Sequence, residues 1–190
     1  MTGVQTCALP ISDNPKSVAI VGAGPAGLST ALVAAQRGHK VTLFDQADVV
    51  GGQLNLAKQI PGKEEFFGLV EYYTRMLKVY GVELRLGRRA VADDLSGFDE
   101  VVIATGVTPR DPQIKGQDGP NVINYIDVLR DKVHVGKRVA IIGAGGIGFD
   151  VAEFLVQLGE SATQNLEEWK SEWGVGRSEE HTSELQSHLN

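Results

Sequence analysis

Three glycines, Gly22, Gly24 and Gly27, followed by an acid at Asp45, are the residues of this sequence best suited to chemistry. Their Gly-x-Gly-x-x-Gly spacing suits a turn that brings the backbone against the pyrophosphate of a dinucleotide. The first glycine permits the tight turn. The second lets the phosphates approach the backbone, and the third lets the following helix pack close to the preceding strand. Pro25 and Ala26 complete the turn, and Pro25 suits the first helical position, where its missing N–H costs nothing. Asp45 stands 23 residues after Gly22, near the roughly 20 residues at which a ribose-binding acid falls. The same glycine spacing returns 121 residues later, making Gly143, Gly145, Gly146, Ile147 and Gly148 a second candidate turn. That offset is too long for a solenoid repeat and is better explained by two separate dinucleotide-binding domains. Between the turns, Gly51-Gly52-Gln53 offers paired glycines for close backbone approach, with Gly52 and Gln53 as candidate contacts. Ala104-Thr105-Gly106 puts small residues at the carboxyl end of a strand, where open α/β sheets bind ligands. No catalytic side chain and no metal-ligating set is singled out.

These residues need elements to hold them. Val18 to Val21 is short, apolar and largely β-branched, as a buried parallel strand should be. A helix is predicted from the first turn to about Arg37, ended by Gly38, and a second strand over 40–44 carries Asp45 at its end. Residues 54–59 suit a short helical turn, broken by Pro61-Gly62. Apolar residues at Phe66, Phe67, Val70, Tyr73, Met76, Leu77 and Tyr80 predict an amphipathic helix over 63–80, its aromatics assigned to core packing. Val82 to Leu86 alternates like a half-buried strand, and Asp93 to Gly97 reads as a turn-rich connection. Arg88 and Arg89 read as a solvated basic pair, with approach to a phosphate as the alternative. Glu100 to Ile103 is a further strand, and Val107 to Gly119 a crossing linker. A short helix over 125–132 follows, capped by Asn124. Lys137 to Ile142 is predicted to be a strand and Phe149 to Leu158 a helix. Polar sequence from Glu160 follows instead of an acid-bearing second strand, so the second unit reads as incomplete.

Composition narrows the possibilities. The chain has 190 residues, 42% hydrophobic and 22% charged, within the usual range for a globular chain. A net charge of −6 argues against general nucleic-acid binding. No apolar run approaches the 18 or more residues of a membrane span, so no membrane partner is expected. Arg177 to Ser187 resembles a translated sequencing adaptor, and Met1 to Ile11 resembles the reverse complement of the same DNA. Such scars stand outside fold reasoning. On that reading residues 1–12 and 177–190 are not native, Cys7 carries no redox meaning, and the net charge of the remainder is −4. With no other cysteine, the remaining segment has no disulfide and no cysteine-ligated metal.

Two glycine units, with Gly51-Gly52 after the first and Ala104-Thr105-Gly106 before the second, resemble the two-dinucleotide-binding flavoproteins. Within that group, Gly51 to Phe66, Tyr125 to Lys132, Gly145 to Asp150, Gly159-Glu160-Ser161 and Glu172-Trp173-Gly174 are similar to the bacterial 2,4-dienoyl-CoA reductase family. The resemblance covers Lys16 to Gly174. It implies an α/β fold: a Rossmann-like FAD-binding domain over 13–110 without its final strand, a linker over 111–136, and the truncated start of a second Rossmann-like, NAD(P)-binding domain over 137–176. Gly22, Gly24 and Gly27 would take the FAD pyrophosphate, and Asp45 the adenosine ribose. Gly52, Gln53, Ala104, Thr105 and Gly106 would line the same site, and Val91 would offer backbone contacts to adenine. NADPH would deliver a hydride to FAD, while FMN, a [4Fe–4S] cluster and the enoyl-CoA substrate belong to an N-terminal barrel outside this chain. The resemblance also implies a cytoplasmic enzyme, of which the isolated chain is an inactive piece. A second reading is a structural scaffold holding ADP or FAD in a related barrel flavoprotein that acts on another enoate or an amine.

Overall fold

The computed structural model describes residues 9–175. Most of the two adaptor-like stretches, Met1 to Ala8 and residues 176–190, therefore lies outside the described residues. Tertiary contacts divide the chain into two units. One comprises residues up to Gln59 together with Glu64–Gly136; the other comprises Ile60–Lys63 together with the chain from Lys137 onward.

The first unit is a parallel sheet flanked by helices. Its elements run β1 (Ser17–Val21), α1 (Pro25–Gln36), β2 (Lys40–Phe44), α2 (Leu54–Ala57), α3 (Glu65–Val79), β3 (Glu83–Arg85), α4 (Ala92–Leu95), β4 (Glu100–Ile103) and α5 (Tyr125–Arg130). The strands lie in the order β3-β2-β1-β4, all parallel. Val18, Ala19 and Ile20 of β1 and Val41, Thr42, Leu43 and Phe44 of β2 are buried, so both faces of the central strands are covered. That burial explains their unbroken apolar sequence, which an amphipathic strand would not show. Thr42 is the buried polar residue of the core, and its hydroxyl donates to Glu83 Oε2 at 3.0 Å. α1 buries Gly27, Leu28, Ala31 and Leu32, a narrow stripe of mostly small side chains that lets the helix lie close to the sheet. Leu77 of α3 completes the core, with Val70, Tyr73 and Met76 partly packed against it.

Three expectations need correction. Phe67 and Tyr80, assigned to core packing, are 50% and 43% exposed; Phe67 instead carries the Lys58 ammonium 4.9 Å from its ring centre. Asp93 to Gly97 is not only a turn, because Ala92–Leu95 closes into a short helix whose first amide partner is supplied by Asp94 to Val91 N at 3.0 Å. Arg88 is not simply solvated: it pairs with Asp94.

β1 and β4 are clasped at their amino ends. Asp99 Oδ2 accepts from Ser17 N at 2.7 Å and from Ser17 Oγ at 2.6 Å, and Asp99 N donates to Ser17 O at 3.0 Å. Next to it, Lys16 Nζ meets Glu100 Oε1 at 2.5 Å. The outer edge of β4 has no partner strand among the described residues.

The second unit contains α6 (Gly146–Val156), a 3-10 turn (Ala162–Gln164) and α7 (Leu166–Trp173). The strand expected over Lys137 to Ile142 does not form. A strand is stable only against a neighbour, and the described part of this unit offers none, so its apolar residues stay exposed despite their β propensity. α7 is capped by Asn165, whose side chain accepts from Glu167 N and Glu168 N, and its Trp169 and Trp173 rings stack 6.2 Å apart. Among the described residues no helix is long and apolar enough to cross a membrane.

Candidate dinucleotide site

In the first unit the candidate residues meet at the carboxyl ends of β1 and β4, where the strand order reverses direction. Such switch points form the ligand crevice of open α/β sheets. β1 ends at Val21, and Gly22 follows with φ +111°, a conformation open to glycine. A Cβ on Gly22 would lie 2.2 Å from the carbonyl oxygen of Ala104, and one on Gly27 would lie 1.8 Å from the carbonyl oxygen of Gly22. These two glycines are required by backbone packing. Gly24 differs, because a Cβ there would meet nothing within 4 Å. Its missing side chain leaves open space in front of the α1 amino terminus, whose amides have no side-chain cap. A helix start with free amides and a helix dipole behind it is suited to an anionic phosphate.

The Gly51–Gly52 loop lies against this turn. Gly51 N donates to Ala23 O at 2.8 Å, and a Cβ on Gly52 would lie 2.8 Å from the Gly24 Cα. From the other side, Ala104 N donates to Val21 O at 2.8 Å, which brings Ala104-Thr105-Gly106 beside the turn. Gln53 Nε2 donates to Val107 O at 3.2 Å, linking the second loop to the third. The structure thus brings Gly22, Gly24, Pro25, Ala26, Gly27, Gly52, Gln53, Ala104, Thr105 and Gly106 into one neighbourhood.

Asp45 follows β2, and its carboxylate is a fastener as well as a candidate ligand. Oδ2 accepts from Ala23 N at 2.6 Å and Oδ1 from Ala47 N at 2.8 Å. Each carboxylate oxygen has a further lone pair, so ribose hydroxyls can be accepted without breaking either bond. Val91 stands apart from this arrangement: its N–H donates to Asp94 and its carbonyl accepts from Asp94 N, so both backbone groups serve α4.

Two positioning residues escaped the sequence reading. Asn55 Nδ2 donates to Val50 O at 2.9 Å, and its side chain fills the space where a Gly51 Cβ would sit. Asn55 therefore sets the path of the paired glycines. Asp99 fixes β4 against β1, as described above. Neither has a signature in local spacing; the Asp99 partner is 82 residues away.

In the second unit Gly143 has φ +121°, and a Cβ on Gly148 would lie 2.1 Å from the Gly143 carbonyl oxygen. Gly145 has ψ −179°, against −177° for Gly24, and Phe149 N donates to Gly145 O as Leu28 N does to Gly24 O. The backbone of the second turn reproduces the first, although no sheet stands behind it among the described residues. Gly145 and Gly146 also face open space.

Comparison with known proteins agrees with this geometry. The chain is 41% identical over 155 residues to the cinnamate reductase of Clostridium sporogenes, covering 78% of this chain and 22% of that protein. It is 36% identical over 161 residues to the metal reductase of Desulforamulus reducens, covering 82% and 24%. A solved structure of 2-naphthoyl-CoA reductase with 2-naphthoyl-CoA superposes with a TM-score of 0.73 at 36% identity, over 78% of this chain and 23% of that one. The chain spans about a quarter of the length of the curated relatives it matches. The parallel sheet, the switch-point crevice and the paired glycine turns are features of one family of Rossmann-like oxidoreductases, and the match of residues 16–180 to its profile identifies it: the chain belongs to the pyridine nucleotide-disulphide oxidoreductase family.

Proposed function

We propose that the chain is the FAD- and NADPH-binding, electron-entry region of a reductase resembling the 2,4-dienoyl-CoA reductases, acting on an enoyl-CoA or related enoate. One observation carries this reading. Three separate loops converge in front of a helix start, and Gly24, at the centre, is open where Gly22 and Gly27 are packed. The residues suit FAD: the α1 amides and Gly24 hold the pyrophosphate, Asp45 accepts from the ribose, and Gly52, Gln53 and Ala104 to Gly106 lie along the remainder. When bound, the flavin supplies hydride acceptance from a nicotinamide. Gly143 to Gly148 holds the pyrophosphate of the nicotinamide dinucleotide in the same way. FMN, the [4Fe–4S] cluster and the enoyl-CoA pocket belong, on this reading, to a region outside the chain, and a cytoplasmic location goes with it. The domain assignment follows the same reading: an FAD domain over 13–110, a linker over 111–136, and the start of an NAD(P) domain from 137.

A second reading keeps the electron-entry role and changes the acceptor. The similarity to a metal reductase at nearly the same coverage supports it. A third keeps the fold and makes the first site a structural ADP site.

The test is to identify the nucleotide released on denaturing the intact protein that carries this segment, and then to reduce that protein anaerobically. FAD release, bleaching by NADPH and turnover of a dienoyl-CoA are expected. ADP without FAD favours the scaffold, and bleaching without enoyl-CoA turnover favours another acceptor. The isolated chain is expected to bind FAD weakly. A stoichiometric yellow complex of micromolar affinity, about 8 kcal/mol, would overturn that expectation.

A further inference from the structure

Ile60–Lys63 lies 33 residues beyond Gly27, within the sequence span of the first unit, yet it packs as part of the second unit. Ile60 is buried at 1% exposure, and Lys63 Nζ meets Asp150 Oδ2 at 2.6 Å. Both side chains of that pair are about one-third exposed, at 37% and 31%. Asp150 lies on α6, two residues beyond Gly148 and four beyond the first residue of the helix. At 1.5 Å per residue this puts its backbone only about 6 Å along the axis from the helix start.

We propose that Lys63 is a charge-compensating and positioning residue for the second dinucleotide turn. It rests on the reading that Gly143–Gly148 binds the pyrophosphate of NADPH. Asp150 lies just past the first turn of α6, so the helix dipole does little to stabilise its carboxylate. That carboxylate opposes a ligand that brings two further negative charges to the same end of the helix. The Lys63 ammonium cancels that opposition, so the turn meets the pyrophosphate with its amides and dipole unopposed. A contact this close is little screened by salt, because it is far shorter than the Debye length of about 8 Å at physiological ionic strength. Lys63 thus brings a segment from within the sequence span of the first unit to the chemistry of the second turn.

The experiment measures NADPH dissociation constants for the intact protein by equilibrium titration, alongside its flavin content. Lys63→Met is expected to weaken NADPH binding by about two- to five-fold, because it leaves the Asp150 charge uncompensated beside the dianion. Lys63→Arg should restore the wild-type constant. Asp150→Asn should bind NADPH as tightly as the wild type or more tightly, because it removes the carboxylate and leaves the ammonium. Flavin content should be unchanged throughout. A merely structural ion pair predicts the opposite for Asp150→Asn, namely weaker binding and a lower melting temperature together, and that result overturns the proposal. So does an unchanged constant in Lys63→Met. Should Lys63→Met fail to fold, the sign of the Asp150→Asn effect still decides. A wild-type protein that does not bind NADPH would sink the reading of the second turn rather than the role of Lys63 alone.

Discussion

At the scale of single residues, the glycines of the first turn divide into two kinds, and substitutions should separate them. Gly24 faces open space, so Gly24→Val is expected to leave the melting temperature of the flavin-free protein nearly unchanged while abolishing FAD retention. Gly27→Ala would drive a methyl group into the Gly22 carbonyl and should cost about 1–3 kcal/mol of stability. Thermal melts with flavin quantification on both variants check this; a destabilised Gly24→Val that keeps its flavin would contradict it. Asp45→Ala should weaken FAD binding by roughly 1–3 kcal/mol through loss of a charged hydrogen bond. It should also lower the stability of the flavin-free protein, because the same carboxylate holds the Ala23 and Ala47 amides. An unchanged flavin dissociation constant would remove Asp45 from the ribose site. The three glycines and the acid were legible in the sequence because each acts within a few residues or at a known offset. Asn55 was not, since an asparagine in a short helical turn has no spacing that marks it as a loop fastener.

At the scale of elements, the clasp between β1 and β4 predicts a pH effect. The hydroxyl and amide of Ser17 hold the Asp99 carboxyl below its ordinary value. A group whose folded value is lowered contributes stability that is complete above the unfolded value, about 3.9. That stability is lost as pH falls through the lowered folded value. Asp99→Asn should therefore be less stable than wild type at neutral pH, and the gap should narrow below about pH 3.9. Denaturant midpoints across pH 2 to 7 would test this, and a constant gap would exclude the clasp as its cause. The elements around the first turn follow their sequence patterns closely: α1 ends at Gln36 and α3 covers Glu65–Val79. Lys137 to Ile142 shows where pattern reading fails. Its residues prefer a strand, but strand formation is a property of a pair, and the described unit holds no partner. The strand order was equally invisible, because pairing of β1 with β4 depends on contacts across more than eighty residues.

At the scale of the whole molecule, the two edges of the sheet are unlike. β3 presents Glu83 and Arg85, joined at 2.9 Å, and such charges discourage pairing with another chain. β4 exposes Val101 at 42% and Ile103 at 66%, while Val102 packs against the core, and no strand among the described residues pairs with its outer edge. Handled in solution by itself, this chain carries its own template for self-association. Its loss from solution should rise steeply with protein concentration, and it should set the practical ceiling on purification and storage before thermal unfolding does. A single lysine placed on that edge should act as a gatekeeper. Val101→Lys is expected to slow the growth of light scattering in concentrated samples while leaving the melting temperature within a few degrees of wild type. Equal scattering in the two proteins would move the source of association away from β4.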